Sequence, residues 1–212
     1  MVFRFTDAER KKVVSAIKQA EKKTSGEIVA VVARQSDEYH HVPIHIAAGV
    51  ALATPLIVKL IERFFPWSTF PLGWLFALQL LIFIVVALVL SLPPLRYWVT
   101  PKSLMRKYAS RHAAWQFLAV GAHGTGGRTG VLIFASLLER HAEIIGDTAI
   151  TSKVPQERWQ AIIDDMLPLM REGRVADAFA QAIEACGHEL AKHFPPGSRN
   201  PNELPDNFIV LD

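Results

Sequence analysis

The stretch GVLIFASLLERHAEIIGD, residues 130–147, decides the fold. Residues 131–137 form a nearly continuous apolar run, which is typical of a strand that is buried on both faces and central in its sheet. Residues 141–147 alternate between polar and apolar side chains, the pattern of a strand with one exposed face. The corner at residues 138–140 is short, so the two runs are joined tightly. The sequence therefore predicts a β-hairpin whose first strand is central.

A further strand and several helices are predicted around this hairpin. Residues 27–33, EIVAVVA, are rich in β-branched side chains and predict a buried strand. Without neighbours this strand would be an aggregation-prone edge, so we expect it to pair with residues 131–137 or 141–147. The predicted order is helix, strand, membrane hairpin, helix, two strands and two helices. This order makes an α/β fold with a mixed sheet and helices on its faces.

Four helices are predicted to flank the sheet. The first begins with a capping box formed by Thr6 and Glu9, and the second begins at Thr100, which is followed by proline. The last two occupy residues 156–172 and 174–193, and their apolar stripes are interpreted as packing faces. The apolar side of the second helix consists of Leu104, Tyr108, Trp115 and Leu118.

Two apolar segments separate the halves of this domain. Residues 70–92 contain no charged side chain, and at 1.5 Å per residue they reach about 35 Å, enough to cross a hydrocarbon core of about 30 Å. Residues 42–61 are also apolar, although Pro55 should kink a helix there and Lys59 must reach toward water. We therefore expect residues 42–92 to form a transmembrane helical hairpin.

The orientation of the hairpin follows from the basic residues at its ends. The loop between the spans contains Arg63 alone, with Lys59 just before it. Five basic residues follow the second span: Arg96, Lys102, Arg106, Lys107 and Arg111. This bias places both termini in the cytoplasm, and the aromatic loop at residues 63–67 should rest in the membrane interface. Two crossings keep both halves of the domain on the same side.

Composition limits the function classes further. The chain has 212 residues and a formal charge of +3, which is too small to indicate nucleic acid as a partner. Cys186 is the single cysteine, so an intramolecular disulfide and a cysteine metal cluster are excluded. The first residues are followed by charge and not by an apolar run, so no secretory signal is predicted. The expected partners are the lipid bilayer and a protein that the sequence does not identify.

The hairpin and its surroundings resemble the TPM domain family. The resemblance covers about residues 5–35 and 100–195, and it is best with the bacterial membrane-embedded branch. The residues that carry it are Ser25–Val29, Gly130–Ser136, Glu139-Arg140, Ala142–Asp147, Trp159, the break at Gly173, Ala182-Ile183, Leu190 and His193-Phe194-Pro195. It implies an α/β sandwich in a bacterial inner (plasma) membrane protein. The two apolar segments and their basic flanks predict that this protein is multi-pass with both termini cytoplasmic.

The family resemblance also carries functional expectations. Some TPM proteins of plant chloroplasts are described as acid phosphatases and photosystem repair factors, and others act as receptor accessory or assembly proteins. Most bacterial members have no assigned activity. The commoner layout has an N-terminal signal, an exported domain and a C-terminal anchor, whereas here the anchor is inserted after the first strand. No family catalytic residue maps onto a matching position of this sequence.

The domain boundaries follow from these patterns. Residues 1–38 and 100–195 are predicted to form one discontinuous TPM-like α/β domain, with the transmembrane hairpin at residues 42–92. Residues 196–212 are rich in proline, asparagine and acidic residues, so a disordered tail is predicted there. Its last apolar residues, Phe208–Leu211, could nevertheless dock on the domain.

Acidic side chains around the hairpin are candidate ligands for a cation. Glu143 and Asp147, together with Glu27 from a neighbouring strand, would make an oxygen-rich site suited to Ca²⁺ or Mg²⁺. The favoured alternative is a solvated sheet edge with salt bridges. His41 and His45 are four residues apart and could pair on a metal, although interfacial histidines without such a role are commoner.

The glycine-rich loop at residues 121–130 has the wrong neighbours for a phosphate loop. A dinucleotide fingerprint or P-loop follows a strand and opens a helix, whereas this loop follows a helix and opens a strand. A flexible connector is favoured, and a substrate-facing loop that uses His123 and Arg128 is the alternative.

Two function hypotheses remain, and whether the protein is an enzyme stays open. The first is a membrane-tethered module for protein interaction, complex assembly or maintenance. The second is a metal-assisted phosphatase resembling the plant members, which would use the face of Glu143 and Asp147. The sequence favours the first hypothesis, because the hydrolase elbow and the cysteine phosphatase loop are both missing. Convergence of Glu27, Glu143 and Asp147 in a concave site would favour the second.

Overall fold

The structure, a computed structural model, describes residues 5–65, 71–197 and 202–211. The chain forms two compact units. The first unit combines Met1–Ser36 with Arg106–Asp212, and the second is the intervening Asp37–Met105. The first unit is therefore discontinuous in sequence.

The described helices and the described strands are each numbered in chain order. The helices are α1 (Asp7–Glu21), α2 (His41–Phe64), α3 (Leu72–Ser91), α4 (Pro93–Val99), α5 (Lys102–Ala119), α6 (Thr148–Thr151), α7 (Gln156–Arg171) and α8 (Val175–His193), with a short 3-10 helix at Ala122–Gly124. The strands are β1 (Glu27–Ala33), β2 (Gly130–Ser136), β3 (His141–Gly146) and β4 (Phe208–Leu211).

The four strands form one mixed sheet in the order β3-β2-β1-β4. β1 pairs parallel to β2, with Ile28 opposite Val131, and it pairs parallel to β4 on its other side. β2 and β3 form the antiparallel hairpin that the sequence predicts, with Ala135 opposite Ala142. The pairing expected for residues 27–33 is confirmed. Its physical reason is that a seven-residue strand that is buried throughout needs a neighbour on each side.

Helices cover both faces of this sheet. α1, α7 and α8 bury Ile17, Trp159 and Phe179 against the face that carries Ile28 and Ile133. α5 covers the other face, where Ala113 and Phe117 pack on the alternate residues Val29, Val31, Leu132 and Phe134. The mixed α/β fold with helices on its faces is thereby confirmed.

The side of α5 that contacts the sheet is not its most apolar side. Ala109, Ala113 and Phe117 are buried, whereas Trp115 is 63% exposed and Leu118 is 57% exposed. The apolar side predicted from sequence therefore faces outward at these two positions. The small alanines let the helix approach the sheet closely, which a Trp or Leu at their positions would prevent.

The tail contains a strand where disorder was predicted. Within the predicted disordered segment 196–212, β4 adds to the sheet and buries Phe208, whose ring lies 4.9 Å from that of Phe5 and 5.2 Å from that of Phe179. The prediction of disorder is wrong for Phe208–Leu211. Composition misled it, because the open edge of β1 supplies a pairing partner that the tail lacks by itself.

The second unit contains the two apolar helices. α2 has 24 residues with a mean hydropathy of 2.0 over its most apolar window, and α3 has 20 residues with a value of 2.7. Both are long and apolar enough to cross a membrane. Their large side chains point outward, including Leu56, Leu80 and Leu88. Residue 70 of the predicted second span and residues 66–67 of the predicted aromatic loop lie outside the described residues.

Another helix begins directly after the second apolar segment. The sequence predicts a stop at Pro93-Pro94, and Leu92 does adopt an extended conformation that ends α3. A new helix, α4, begins directly at Pro93. Proline suits the first turn of a helix because its missing N–H has no partner there, so the same residues both stop one helix and start the next.

We expect the discontinuous unit to fold without the second one. Residues 37–99 replaced by a flexible Gly/Ser linker should leave a cooperatively folded protein, because the cost of closing a loop grows only logarithmically with its length. Circular dichroism and urea denaturation measure whether this linker protein folds cooperatively.

A matched protein that ends at residue 195 is the control for that replacement. It lacks β4, so it should be less stable and should aggregate through the open edge of β1. An unfolded linker protein, alongside cooperative folding of residues 100–212 alone, would contradict the discontinuous unit.

Candidate functional site

The three carboxylates predicted to bind a cation do not come together. Glu27 begins β1 opposite Gly130, and the N–H of Asp147 donates to the carbonyl oxygen of Gly130 at 2.9 Å, so both lie at one end of the sheet with β2 between them. Glu143 stands opposite Phe134, four residues back along β3, a distance of about 13 Å in a strand. Among the described residues, no group of three His, Cys, Asp or Glu side chains could hold a metal ion.

Glu27 instead holds the tail against the sheet. Its Oε2 accepts a hydrogen bond from the N–H of Leu204 at 3.2 Å. Burial raises the pKa of Glu27, and the backbone hydrogen bonds from Leu204 and Glu203 offset only part of this effect. Its carboxylate is thus used to anchor the segment that leads into β4.

Glu21 extends this anchor with a half-buried carboxyl group, which shares a hydrogen bond with the side chain of Asp206. Its Oε1 accepts a hydrogen bond from the N–H of Ile28 at 2.9 Å. Burial raises the pKa of Glu21 to about 8, and the neighbouring Asp206 and Glu27 add to this increase. Glu21 therefore carries a proton at neutral pH, which allows it to lie beside other acids without repulsion.

Asp147 begins a short helix. Its Oδ1 accepts a hydrogen bond from the N–H of Thr148 at 2.6 Å, which caps α6, and it lies 4.0 Å from Nη1 of Arg128. Its Oδ2 is buried and has no hydrogen-bond partner among the described residues. Arg128 of the glycine-rich loop therefore does meet a predicted ligand, whereas His123 is exposed in the 3-10 helix.

Glu143 belongs to a separate polar cluster beneath α5. Its Oε2 accepts a hydrogen bond from Oγ of Ser110 at 2.7 Å and lies 3.0 Å from Nε2 of His141. Burial acts to raise the pKa of Glu143, but the hydrogen bonds from His141 and Ser110 and the charge of His141 lower it overall. The carboxylate is therefore ionised and ties α5 to β3.

These three residue types resemble the components of a catalytic triad, but their geometry differs. In a triad the carboxylate contacts one imidazole nitrogen and the serine contacts the other. Here Nε2 of His141 faces both Glu143 and Ser110, at 3.0 and 3.4 Å, and the serine donates directly to the carboxylate. Histidine is therefore not placed to activate the serine, and the cluster is structural.

A second polar cluster closes the hairpin at the carboxyl ends of β1 and β2. Glu139 accepts hydrogen bonds from Oγ of Ser136 and from the N–H of Ser36 at 3.0 Å, and Ser36 Oγ donates to Ser136 at 2.9 Å. No local pattern indicates Ser36 as a partner of Glu139, because the two residues lie 103 positions apart in the chain. Only the parallel pairing of β1 with β2 brings them together.

A half-buried histidine lies beside this second cluster. The ring of His112 is 5.3 Å from that of Phe134, and burial lowers the pKa of His112 while the charge of Glu139 opposes that change. His112 is thus held against an apolar ring by α5, with Gln116 3.2 Å from its Nε2. His112 carries no signal in the sequence, since a lone histidine on a helix does not indicate contact with an apolar ring.

An open groove of about 450 Å³ lies between α1 and α8 of the first unit. The two helices approach closely at Gly187, where an added Cβ would lie 2.7 Å from the Cβ of Ala20. Side chains of both charges line the groove: Lys12, Lys23, Asp177, Glu184 and His188. Sites for small organic ligands are mostly apolar, so this lining is better suited to a polar protein segment.

The fold and these sites can be compared with known proteins. A model of the TPM domain matches residues 84–189, half of the chain, which includes α5, the β2–β3 hairpin and α7. The chain belongs to the TPM domain family. The TPM resemblance of the hairpin and of its downstream helix α7 is thereby confirmed.

One solved structure resembles this TPM protein along its whole length. It is the NMR structure of the BA42 protein from the psychrophilic bacterium Bizionia argentinensis, with 19% identity and a TM-score of 0.60. The match covers 99% of this chain and 98% of the other, and at this identity it supports the fold alone. No curated protein sequence matches the chain.

Removal of the charge of Glu143 should loosen α5. Glu143→Gln should lower the free energy of unfolding by about 1–2 kcal/mol at pH 7, because hydrogen bonds to an ionised carboxylate are lost. The folded pKa of Glu143 is lowered, so its contribution exists above the ordinary value of 4.5 and disappears as the pH falls through the folded value.

Pulse proteolysis of the full chain in mild detergent measures this difference at several pH values. Glu157→Gln, on the exposed side of α7, is the matched control and should have no effect. A Glu143→Gln protein as stable as the control at pH 7 would contradict the tether.

The anchor of the tail should weaken as the pH rises. The folded pKa of Glu21 is raised to about 8, so its contribution is complete below the ordinary value of 4.5 and is lost as the pH rises through about 8. Glu21→Gln, which stays neutral, should abolish most of this loss between pH 5 and pH 9. Protease cleavage between residues 196 and 207, compared at pH 5, 7 and 9, measures it, and equal pH dependence in both proteins would contradict the argument.

Proposed function

We propose that the protein is a bacterial inner-membrane protein whose TPM domain lies in the cytoplasm and binds a protein partner. The α2–α3 hairpin crosses the membrane twice, and the domain contributes to the assembly or maintenance of a membrane complex. The observation that carries this proposal is the outward exposure of two long apolar helices, inserted between the halves of a folded domain.

Exposure distinguishes these helices from the core helices of a soluble protein. Only 22% of the most apolar window of α2 and 6% of that of α3 are buried. At 1.5 Å per residue, the helices are about 36 and about 30 Å long, which matches a hydrocarbon core of about 30 Å. So much apolar surface is unfavourable in water, and lipid is the environment that removes this cost.

The distribution of basic residues supports the cytoplasmic orientation. Arg96 and four basic residues of α5 follow α3 within about 20 residues, whereas Lys59 and Arg63 lie near the loop between the spans. Cytoplasmic loops carry the excess of lysine and arginine, and counts within about 15–20 residues of the spans determine orientation.

The interaction role is supported by how the polar residues of the domain are used. Glu27, Glu143 and Asp147 bind the tail, α5 and α6, so the ligand set that a metal-assisted phosphatase would need is not assembled. The mixed-charge groove between α1 and α8 is instead open to solvent and floored by small side chains, which suits a polar segment of another protein. We therefore favour binding over catalysis.

A topology assay combined with crosslinking tests the proposal. A reporter active only in the cytoplasm should work at residue 1 and at residue 212, and it should fail in the loop at residues 65–69. Opposite activity at the two termini would contradict the hairpin.

For the partner, a photo-reactive amino acid at Gln181 in the groove should crosslink one discrete protein in native membranes. The same residue at Gln160, on the exposed side of α7, is the matched control. Equal labelling at both positions, together with phosphate release from p-nitrophenyl phosphate that depends on Mg²⁺ or Ca²⁺, would favour the phosphatase instead.

A further inference from the structure

The outer side of α5 carries basic and large apolar side chains that the described domain leaves exposed. Lys107, Arg111, Trp115 and Leu118 follow one another at spacings of four, four and three residues, so they share one side of the helix. We call these four residues the outer face of α5. This face lies opposite the buried Ala109, Ala113 and Phe117, and its Trp115 and Leu118 are 63% and 57% exposed.

The charge of α5 differs from that of the helices on the opposite side of the sheet. α5 contains four basic residues and no acidic residue. α1, α7 and α8 together contain nine acidic and seven basic residues. A positive surface is therefore concentrated on the side of the sheet that α5 covers.

This combination has the chemistry of a helix that lies on a membrane surface. Tryptophan is enriched at the interface because its ring is amphipathic, and lysine and arginine are attracted to anionic lipid headgroups. The core of a protein–protein interface, by contrast, is depleted of charged residues and of lysine in particular. The outer face combines two basic side chains with two large apolar ones, so lipid fits it better than a second protein.

The path of the chain connects the start of α5 closely to the end of α3. Ten residues separate Ser91, the end of α3, from Lys102, and seven of them form α4. A connection this short limits how far the start of α5 can lie from the membrane surface at which α3 ends. The basic residues of α5 are also those that orient the hairpin, so they face the cytoplasmic leaflet.

We propose that the outer face of α5 docks on a membrane surface rich in anionic phospholipids and holds the TPM domain against the cytoplasmic leaflet. The proposal rests on the membrane anchoring proposed above. It adds the lipid class and the residues that contact the lipid.

The test uses the full chain in nanodiscs of phosphatidylcholine, with or without phosphatidylglycerol. Trp115→Cys carries an environment-sensitive fluorophore, and Glu157→Cys on α7 is the matched control position. The native Cys186 is buried and should not be labelled in the folded protein, which labelling of the unchanged chain verifies. The fluorophore at position 115 should shift its emission to the blue in anionic nanodiscs and be quenched by spin-labelled lipid. The fluorophore at position 157 should do neither.

Charge variants test the electrostatic part. Lys107→Glu with Arg111→Glu should abolish the blue shift at position 115 in anionic nanodiscs, and so should high salt. The matched pair Arg158→Glu with Arg171→Glu, on α7, should leave the shift intact. Loss of the shift in both double variants would overturn the docking, because the loss would then not depend on the outer face.

A carbonate wash of reconstituted vesicles separates failure of the docking from failure of the anchor. A chain that resists the wash but keeps its position 115 fluorophore in water overturns lipid docking alone. Shielding that occurs only in native membranes also overturns it and indicates a protein on this face. A chain that the wash extracts overturns the anchoring and the docking together.

Discussion

Strand β1 must be covered on both faces and both edges, and the rest of the first unit depends on this requirement. All seven of its residues are buried. β2 and β4 run parallel to it on either side, and parallel strands cannot be joined by a tight turn, so each pairing needs a long connection. The connection from β1 to β2 carries the two apolar helices and α5. The two apolar helices are thus accommodated within a crossover that the sheet needs in any case.

The same requirement assigns a role to the tail. β4 covers the second edge of β1, and Phe208 fills a position between Phe5 and Phe179. Glu27 accepts a hydrogen bond from the N–H of Leu204, and Glu21 shares a hydrogen bond with the side chain of Asp206, so both hold the approach to this strand. Burial raises the pKa of both groups, so the attachment of the segment that closes the sheet depends on pH.

α5 illustrates how one helix serves two surroundings. Ala109 and Ala113 allow it to lie close on the sheet, and Ser110 ties it to Glu143 of β3. Its opposite side keeps Trp115 and Arg111 exposed. The carboxylates predicted as metal ligands instead accept hydrogen bonds that hold the tail, α5 and α6. The function proposed for the protein therefore lies on its surface and not in a catalytic centre.

The sequence by itself determined the features that depend on local periodicity. Alternation and continuous apolar runs predicted β1, β2 and β3, the hairpin between the last two and the apolar helices α2 and α3, because side chains at most four residues apart decide these patterns. The capping box at Thr6 and Glu9 is likewise local, and it is present.

Tertiary structure alone decided which groups meet. Glu143 and Asp147 share a strand face in the sequence pattern, yet the rise of a strand separates them, and Asp147 turns away to cap α6. Ser36 reaches Glu139 only because β1 and β2 are parallel and in register. The tail is a strand only because β1 has an open edge. α5 buries alanines and not Trp115 because only small side chains allow the helix to pack closely on the sheet. Each outcome depends on a neighbour far away along the chain, which local patterns do not contain.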